Sequence, residues 1–395
     1  MSETALKHVE YFTNTIGPRG STTAAERKAH EYSQQTLEGL GYEAHLEEYY
    51  SPSSGWLPFT LALGLMVLAD LIFFFTGLSQ NAQVGALAAA ALGLVTVVSF
   101  FLQITHHDNP LRWLLPVARS QNVWALAKAA GNARRRVVVT GHVDTHKVAL
   151  AMQSPALWQV FQILTTAAAV VNLALAGLFI YGIFTPDLLL RQIALYLGVV
   201  LVAGLVFTIH PETQPYVKGG NDNATGAAAV LALAERLKTE PLANTEVYLL
   251  NTGCEEVGCY GLMDWIQRHA AEARDADYLV LDNLAGKGAE LNYVVEETLL
   301  IPVPADGRLV TLAQEVVREN PAFPAKPFAY RGLFSEMAIA GVLGQKAIGL
   351  LNFDPKTRMP PLFHTLKDDF DNVDPALLEQ SEQFAWALMQ KIDRS

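Results

Sequence analysis

Gly219-Gly220-Asn221-Asp222-Asn223-Ala224-Thr225-Gly226 leads into an Ala/Leu-rich run, Ala227 to Leu237, which reads as a helix. Two glycines permit close backbone approach, Asn and Asp tolerate unusual angles, and Asn223 or Thr225 suits the helix cap. A lone carboxylate, Asp222, held between two carboxamides ahead of a buried helix suits a side chain that must point one way. Its two oxygens are able to bridge two metal ions. Read alone, the stretch is better explained as an ordinary Asx turn with an N-cap, because Asn/Asp/Gly clusters are common turn chemistry. The rest of the chain decides between them.

Working outward, four other spots share one placement, at or just past the C-terminal end of a predicted strand. His142 and Asp144 close the apolar strand Arg136 to Val143. Glu255 and Glu256, flanked by Gly253 and Gly258, follow the strand Glu246 to Asn251. Asp282 closes Tyr278 to Leu281, and His364 sits in the loop Pro360-Pro361-Leu362-Phe363-His364-Thr365. Open α/β sheets gather their sites at such ends. Each spot alone has a bland reading: a lone His-x-Asp as structure, a lone Glu-Glu pair as a solvated face. Together they supply the donors for two zinc ions: imidazoles, carboxylates, one shared acid and one acid left for proton transfer. Asp144 then fits behind His142, fixing its tautomer.

Helices are expected at Ala5–Ile16, Ala24–Leu40, Leu262–Ala273, Leu309–Arg318 and Pro375–Asp393. Strands are expected at Tyr42–Tyr50, at Gln121–Ala129 joined to the His142 strand by a Gly131-Asn132 turn, and at Lys346–Leu351. The alternation predicts an α/β fold with a mostly parallel central sheet sandwiched by helices.

Hydrophobic residues make up 51% of the 395 residues and charged ones 17%, but the excess is concentrated. Apolar runs at 56–78, 84–105, 156–184 and 188–209 each approach the ~20 residues that cross a bilayer. They form two transmembrane hairpins, 56–105 and 156–209, inserted into one domain made of 1–55, 112–150 and 212–395. Arg191 lies near the end of its run and is expected to snorkel. Asp70 is the one acid inside a run, and its role is not legible. Gly85, Ala89 and Gly93 suit close helix packing within or between protomers, leaving a homo-oligomer open.

Two crossings per hairpin return the soluble segments to one face. Arg112, Arg119, Arg134, Arg135, Arg136, Lys147 and Lys218 cluster there, which predicts a cytoplasmic catalytic domain. The polar first 55 residues carry no secretory signal, and Cys254 and Cys259 do not make a disulfide framework. A net charge of −11 argues against a nucleic-acid partner. The second hairpin leaves just after His142 and returns just before Asp222. That places the active site near the bilayer and favours short hydrophobic peptides.

The order His142-x-Asp144, Asn221-Asp222-Asn223, Glu255-Glu256, Asp282, His364 resembles the di-zinc aminopeptidases of clan MH. That family includes bacterial leucyl aminopeptidase and glutamate carboxypeptidase II. The resemblance implies that Asp222 bridges two zinc ions, with His142 and Asp282 completing one site and Glu256 and His364 the other. It also implies that Glu255 is the general base acting on a metal-bridging hydroxide, that Asp144 assists catalysis, and that the substrate is a peptide with a free amino terminus. Ser335-Glu336 stands where the family more often shows Ser-Asp, which leaves the role of Glu336 open. Two other readings remain: a glutaminyl-cyclase-like or related amidohydrolase using one zinc, and an inactive receptor or scaffold on the same fold.

Overall fold

The computed structural model describes residues 2–105, 107, 109–298 and 301–395. The chain begins with α1 (Ser2–Glu10), α2 (Ala24–Gly39), β1 (Ala44–Pro52), α3 (Leu57–Thr76), α4 (Ala82–Ile104), β2 (Val117–Ala127) and β3 (Arg135–His142). Next come α5 (Pro155–Phe184), α6 (Leu188–Ile209), α7 (Thr225–Thr239), β4 (Thr245–Thr252), α8 (Tyr260–Arg268) and α9 (Ala270–Ala273). The remainder holds β5 (Asp277–Leu281), β6 (Asn292–Thr298), β7 (Pro302–Pro304), α10 (Gly307–Glu319), β8 (Lys326–Arg331), α11 (Glu336–Val342), β9 (Lys346–Leu350) and α12 (Pro375–Arg394). Two compact units result. One comprises Met1–Ser53, Val117–Val148 and Tyr216–Ser395, the other Ser54–Pro116 and Ala149–Pro215.

The first unit is a mixed α/β domain whose sheet runs β1-β2-β4-β3-β5-β9-β6, with β7 and β8 both paired to β6. β3 is parallel to β4 and β5, and β5 is parallel to β9. The strands outside this centre add antiparallel pairs: β1 with β2, β2 with β4, and β6 with both β7 and β9. The expected mostly parallel sheet is therefore parallel at its centre and in the β6–β8 pair, and antiparallel elsewhere.

The Gly131-Asn132 turn does not make β2 and β3 neighbours, because β4 lies between them. The amides of Ala130 and Gly131 donate to the carbonyls of Leu242 and Ala243 at 2.8 and 3.0 Å, so the segment entering β4 takes the donors a hairpin would use. The helix expected over Leu262–Ala273 breaks at His269. There the imidazole binds Glu47 at 3.0 Å and stacks on Trp265.

Val137, Val138 and Val139 of β3 are fully buried, and so is the Ala/Leu face of α7. Small residues set the helix close to the sheet: a Cβ on Gly141 would stand 2.7 Å from the carbonyl carbon of Gly226.

In the second unit α3 packs on α4 and α6, and α5 packs on the same two helices. All four helices are long and apolar enough to cross a membrane. Gly85, Ala86, Ala89, Ala90 and Gly93 form the buried face of α4. Added methyl groups at Gly85 and Gly182 would meet Thr76 and Phe73 at 1.8 and 2.3 Å. The small residues thus serve packing inside the unit. Leu87, Val98, Leu173, Val199 and Val202 are exposed, giving an apolar exterior. Arg191 does not snorkel. It is 1% exposed, lies over the Phe73 ring, and donates to the carbonyls of Phe73 and, at 2.9 Å, Ala82. It thereby satisfies a carbonyl in the last turn of α3. The Asp70 carboxylate is buried against Gly198 of α6.

Each insertion starts and ends at paired residues of the first unit. Pro52 is the register partner of Val117, and Lys147 bridges to Tyr216.

Gly141→Ala should destabilise the protein by about 1–3 kcal/mol, because the new methyl group meets backbone that cannot yield. Gly39→Ala, with nothing within 4 Å, serves as the control. Thermal melting of detergent-purified protein checks this, and equal melting points for both variants would contradict the tight β3–α7 approach.

Candidate metal centre

Because β3, β4 and β5 run parallel, their C-terminal ends open on one edge of the sheet. His142 is the last residue of β3, Asp282 directly follows β5, and Glu255-Glu256 lies just beyond β4. Asp222 comes from a kinked turn, Gly220–Ala224, ahead of α7, and the peptide after it is cis. Gly219 enters that turn with φ +58°, where a Cβ would lie 2.1 Å from the Asp222 carbonyl oxygen. His364 arrives on the loop between β9 and α12.

These side chains converge. One Asp222 oxygen lies 3.5 Å from His142 Nε2, and the other lies 3.1 Å from His364 Nε2. His142 Nε2 also stands 3.5 Å from Asp282 and 3.8 Å from Glu255. His364 Nε2 stands 3.2 Å from Glu256, whose side chain is 5% exposed. The ligand atoms of His142, Asp222 and Asp282 lie within 4.8 Å of one another, and so do those of His146, Glu256 and His364. Buried His142 Nε2, His364 Nε2, Asp222 Oδ2 and Glu256 Oε1 have no hydrogen-bond partner. Buried polar atoms are normally satisfied, so convergent orphans of this chemistry fit cations.

The charge balance agrees. Burial, together with the charges of Glu256, Asp282 and Asp144, pushes the Glu255 carboxyl well above its ordinary range. Burial and Asp222 push Glu256 up to about 7. Burial opposes a charged His364, but Glu256 and Asp222 raise it to about 9, and the acids around His142 raise that ring too. Burial also works against charge on Asp222, but the two histidines hold it below the carboxylate range. Without cations, such a cluster retains protons.

Other groups position these residues. Asp144 accepts from Ser21 Oγ at 2.6 Å and from the amides of Glu255 and Glu256 at 3.1 and 3.2 Å. His142 Nδ1 lies 3.1 Å from the Asp144 carbonyl and 3.4 Å from its carboxylate. Asp368 accepts from the amides of Asn221 and Asp222 at 2.8 and 3.0 Å. Asn221 donates to Asn283 at 2.8 Å, and Asn283 donates to Asp282 at 2.9 Å, joining the two ligand loops. Asn223 Oδ1 takes the Gly226 amide at 2.8 Å, which answers the capping question, while the Thr225 hydroxyl donates to the Asn221 carbonyl. The buried Cys259 thiol donates to Glu255. Glu336 is buried behind the site, accepting from the Thr140 hydroxyl at 2.9 Å.

Sequence reasoning did not single out His146, Asp368, Ser21 or Arg19. A second histidine two residues past Asp144 was the visible signal for His146. The buried guanidinium of Arg19 binds the nearby carbonyls of Phe12 and Gly17 and the sequence-distant carbonyls of Val143, Lys218 and Gly219.

The α/β domain is parallel at the centre of its sheet and carries two imidazole–carboxylate groups at the strand ends. Residues 203–389 match the profile of peptidase family M28. No curated protein matches the sequence significantly. Among solved structures, the fold is similar to a glutaminyl cyclase from Tannerella forsythia, with 13% identity, 99% of this chain and 98% of that one covered, and a TM-score of 0.60. It is also similar to a zinc aminopeptidase from Bacillus subtilis, with 14% identity, 99% and 95% covered, and a TM-score of 0.59. A Zn-dependent exopeptidase from Parabacteroides distasonis matches with 12% identity, 98% and 96% covered, and a TM-score of 0.57.

Glu256 (4.5 raised to about 7) and His364 (6.5 raised to about 9) bind protons more tightly folded than unfolded. Their contribution to metal-free stability is present at the acid end and is lost as pH rises through these windows. Zinc requires the deprotonated ligands, so its stabilisation grows over the same range. The gap between melting temperatures with and without zinc should widen from about pH 5 to about pH 8. A pH-independent gap would contradict the ligand assignment.

Proposed function

We propose that this chain is a membrane-anchored, zinc-dependent exopeptidase that releases N-terminal residues from peptides. The carrying observation is the division of Asp222, whose two oxygens face two different histidines, each with its own further carboxylate. In this reading Asp222 is the shared ligand of two ions, His142 and Asp282 complete one set, and Glu256 and His364 complete the other.

When bound, two zinc ions supply a water acidified toward neutral pH and a cationic partner for a carbonyl oxygen. Glu255 is the general base: its side chain borders the centre, and its raised proton affinity suits a group that takes a proton from water and returns it to the leaving amine. Asp144 holds the backbone of Glu255 and Glu256 and steadies His142. A receptor or scaffold reading has little support, since all five proposed ligands converge.

Glutaminyl cyclases share the fold, so metal count and product separate the two enzyme readings. The four apolar helices support a multi-pass anchor, and the basic residues beside them support a cytoplasmic catalytic domain. A lipid bilayer and a peptide are the proposed partners.

Elemental analysis of zinc-loaded protein should find two zinc ions per chain, and one or none would overturn this reading. Glu255→Gln should keep both ions and lose turnover of aminoacyl reporter peptides by roughly 10²–10⁴-fold. Glu256→Gln should instead weaken zinc binding, and two variants with normal zinc and normal turnover would refute the roles. Protease added to sealed right-side-out vesicles should leave the catalytic domain intact. Its digestion there, or release of the chain by carbonate, would reject the topology.

A further inference from the structure

Glu255 presents its two carboxylate oxygens in two directions. One stands 3.8 Å from His142 Nε2, on the side of the metal centre. The other accepts the Cys259 thiol at 3.3 Å. The turn between the two residues is closed twice over, because the amides of Gly258 and Cys259 both donate to the Glu255 carbonyl at 2.8 Å. Cys259 thus holds Glu255 by backbone and by side chain. Local rules would choose another residue type here. Cys259 has φ +57°, a region that favours glycine or asparagine. It is also the N-cap of α8, where Ser, Thr, Asp or Asn would bond the first amides of the helix. Its side chain makes no such bond and turns to Glu255 instead.

Space filling is the competing explanation, since a buried thiol often behaves as a small apolar group. Cys254 is nearer that case. It packs with Tyr49, Val257 and Tyr260, and its sulfur stands 3.6 Å from a Glu26 oxygen that already takes the Cys254 amide at 3.0 Å. Cys259 lies among acids. Burial, with the charges of Glu255 and Glu336, pushes its thiol well above the ordinary range, so the S–H is retained and donates.

We propose that Cys259 is a positioning residue for Glu255, its thiol holding one carboxylate oxygen so that the other stays directed at the metal centre; the role rests on the general-base reading above. A carboxylate that takes a proton from water must present one oxygen along a fixed line. Rotation about its side-chain bonds spreads that line over several rotamers, and the thiol removes part of that freedom. An S–H group is a weak donor, so the effect is modest. It falls on the chemical step, because Cys259 touches the base and none of the five proposed ligands supplies its contact.

Two measurements on the full chain in detergent test this. The first is kinetic, on zinc-loaded protein with aminoacyl reporter peptides. Cys259→Ala should lower kcat roughly 10-fold, with KM and zinc content as in wild type. Cys259→Ser, which restores a donor at the same backbone cost, should recover most of that loss. Ser and Ala variants equally impaired would mean that the side chain only fills space, and wild-type kcat in Cys259→Ala would mean that it does nothing for Glu255; either result overturns the proposal. The second measurement needs no turnover. The infrared S–H stretching band that disappears in Cys259→Ala should shift in Glu255→Gln, as an ionic acceptor is replaced by a neutral one. A band unmoved by Glu255→Gln overturns the contact itself. A wild-type chain that turns over no peptide, with the band shifting as expected, overturns the exopeptidase reading instead.

Discussion

Like charge gathered at one buried point is the constraint on which the first unit depends. The side chains of Asp222, Glu255, Glu256 and Asp282 line one small region, with Asp144 and Asp368 buried directly behind them. Two carboxylates ~4 Å apart repel by about 4 kcal/mol at an effective dielectric of about 20. Arg19 is buried nearby, but its N–H groups are committed to five carbonyls. Protons or added cations must balance the rest, and rigid loops must hold the acids together against their repulsion.

The same device supplies that rigidity repeatedly. A buried carboxylate from one segment accepts two backbone amides from another. Asp144 does so for Glu255 and Glu256, and Asp368 for Asn221 and Asp222, while Glu26 joins its own segment, through the Thr22 amide, to the Cys254 amide. Glu297 does so for Ser335 and Ala338 at the start of α11. Charge-assisted bonds of this kind are shorter and stronger than neutral ones, and each fixes a loop in position and direction at once. Burial raises Glu26 to about 8 and Glu297 to about 7, against the lowering effect of these same amide bonds.

What was legible in the sequence was local. Val137–Val139 announces a covered central strand by composition, and Asn221-Asp222-Asn223 announces a special turn by residue type. Residues at strand ends could be grouped because parallel strands present the same ends. The edge pairings were not legible, because β2 joins β4 through amides spent on a distant segment, and composition carries no record of that choice. β6, β8 and α11 went unread for a related reason: short elements with mixed polarity owe their form to neighbours. Asp368 and Arg19 bond to backbone, and backbone partners leave no trace in residue identity. Arg191 was misread because its carbonyl partners on α3 and α4 are distant in sequence.

The insertion points have a further consequence. Pro52 pairs with Val117, and Lys147 pairs with Tyr216, so each inserted segment departs and returns across a single rung of structure. Loop-closure entropy grows only slowly with length, and here the ends are already fastened. The α/β unit therefore treats a long helical excursion much as it would treat a tight turn. All nine strands among the described residues and every proposed ligand lie outside the excursions. Such a layout makes the helices graftable: they can be gained or shed at two joints without redrawing the sheet.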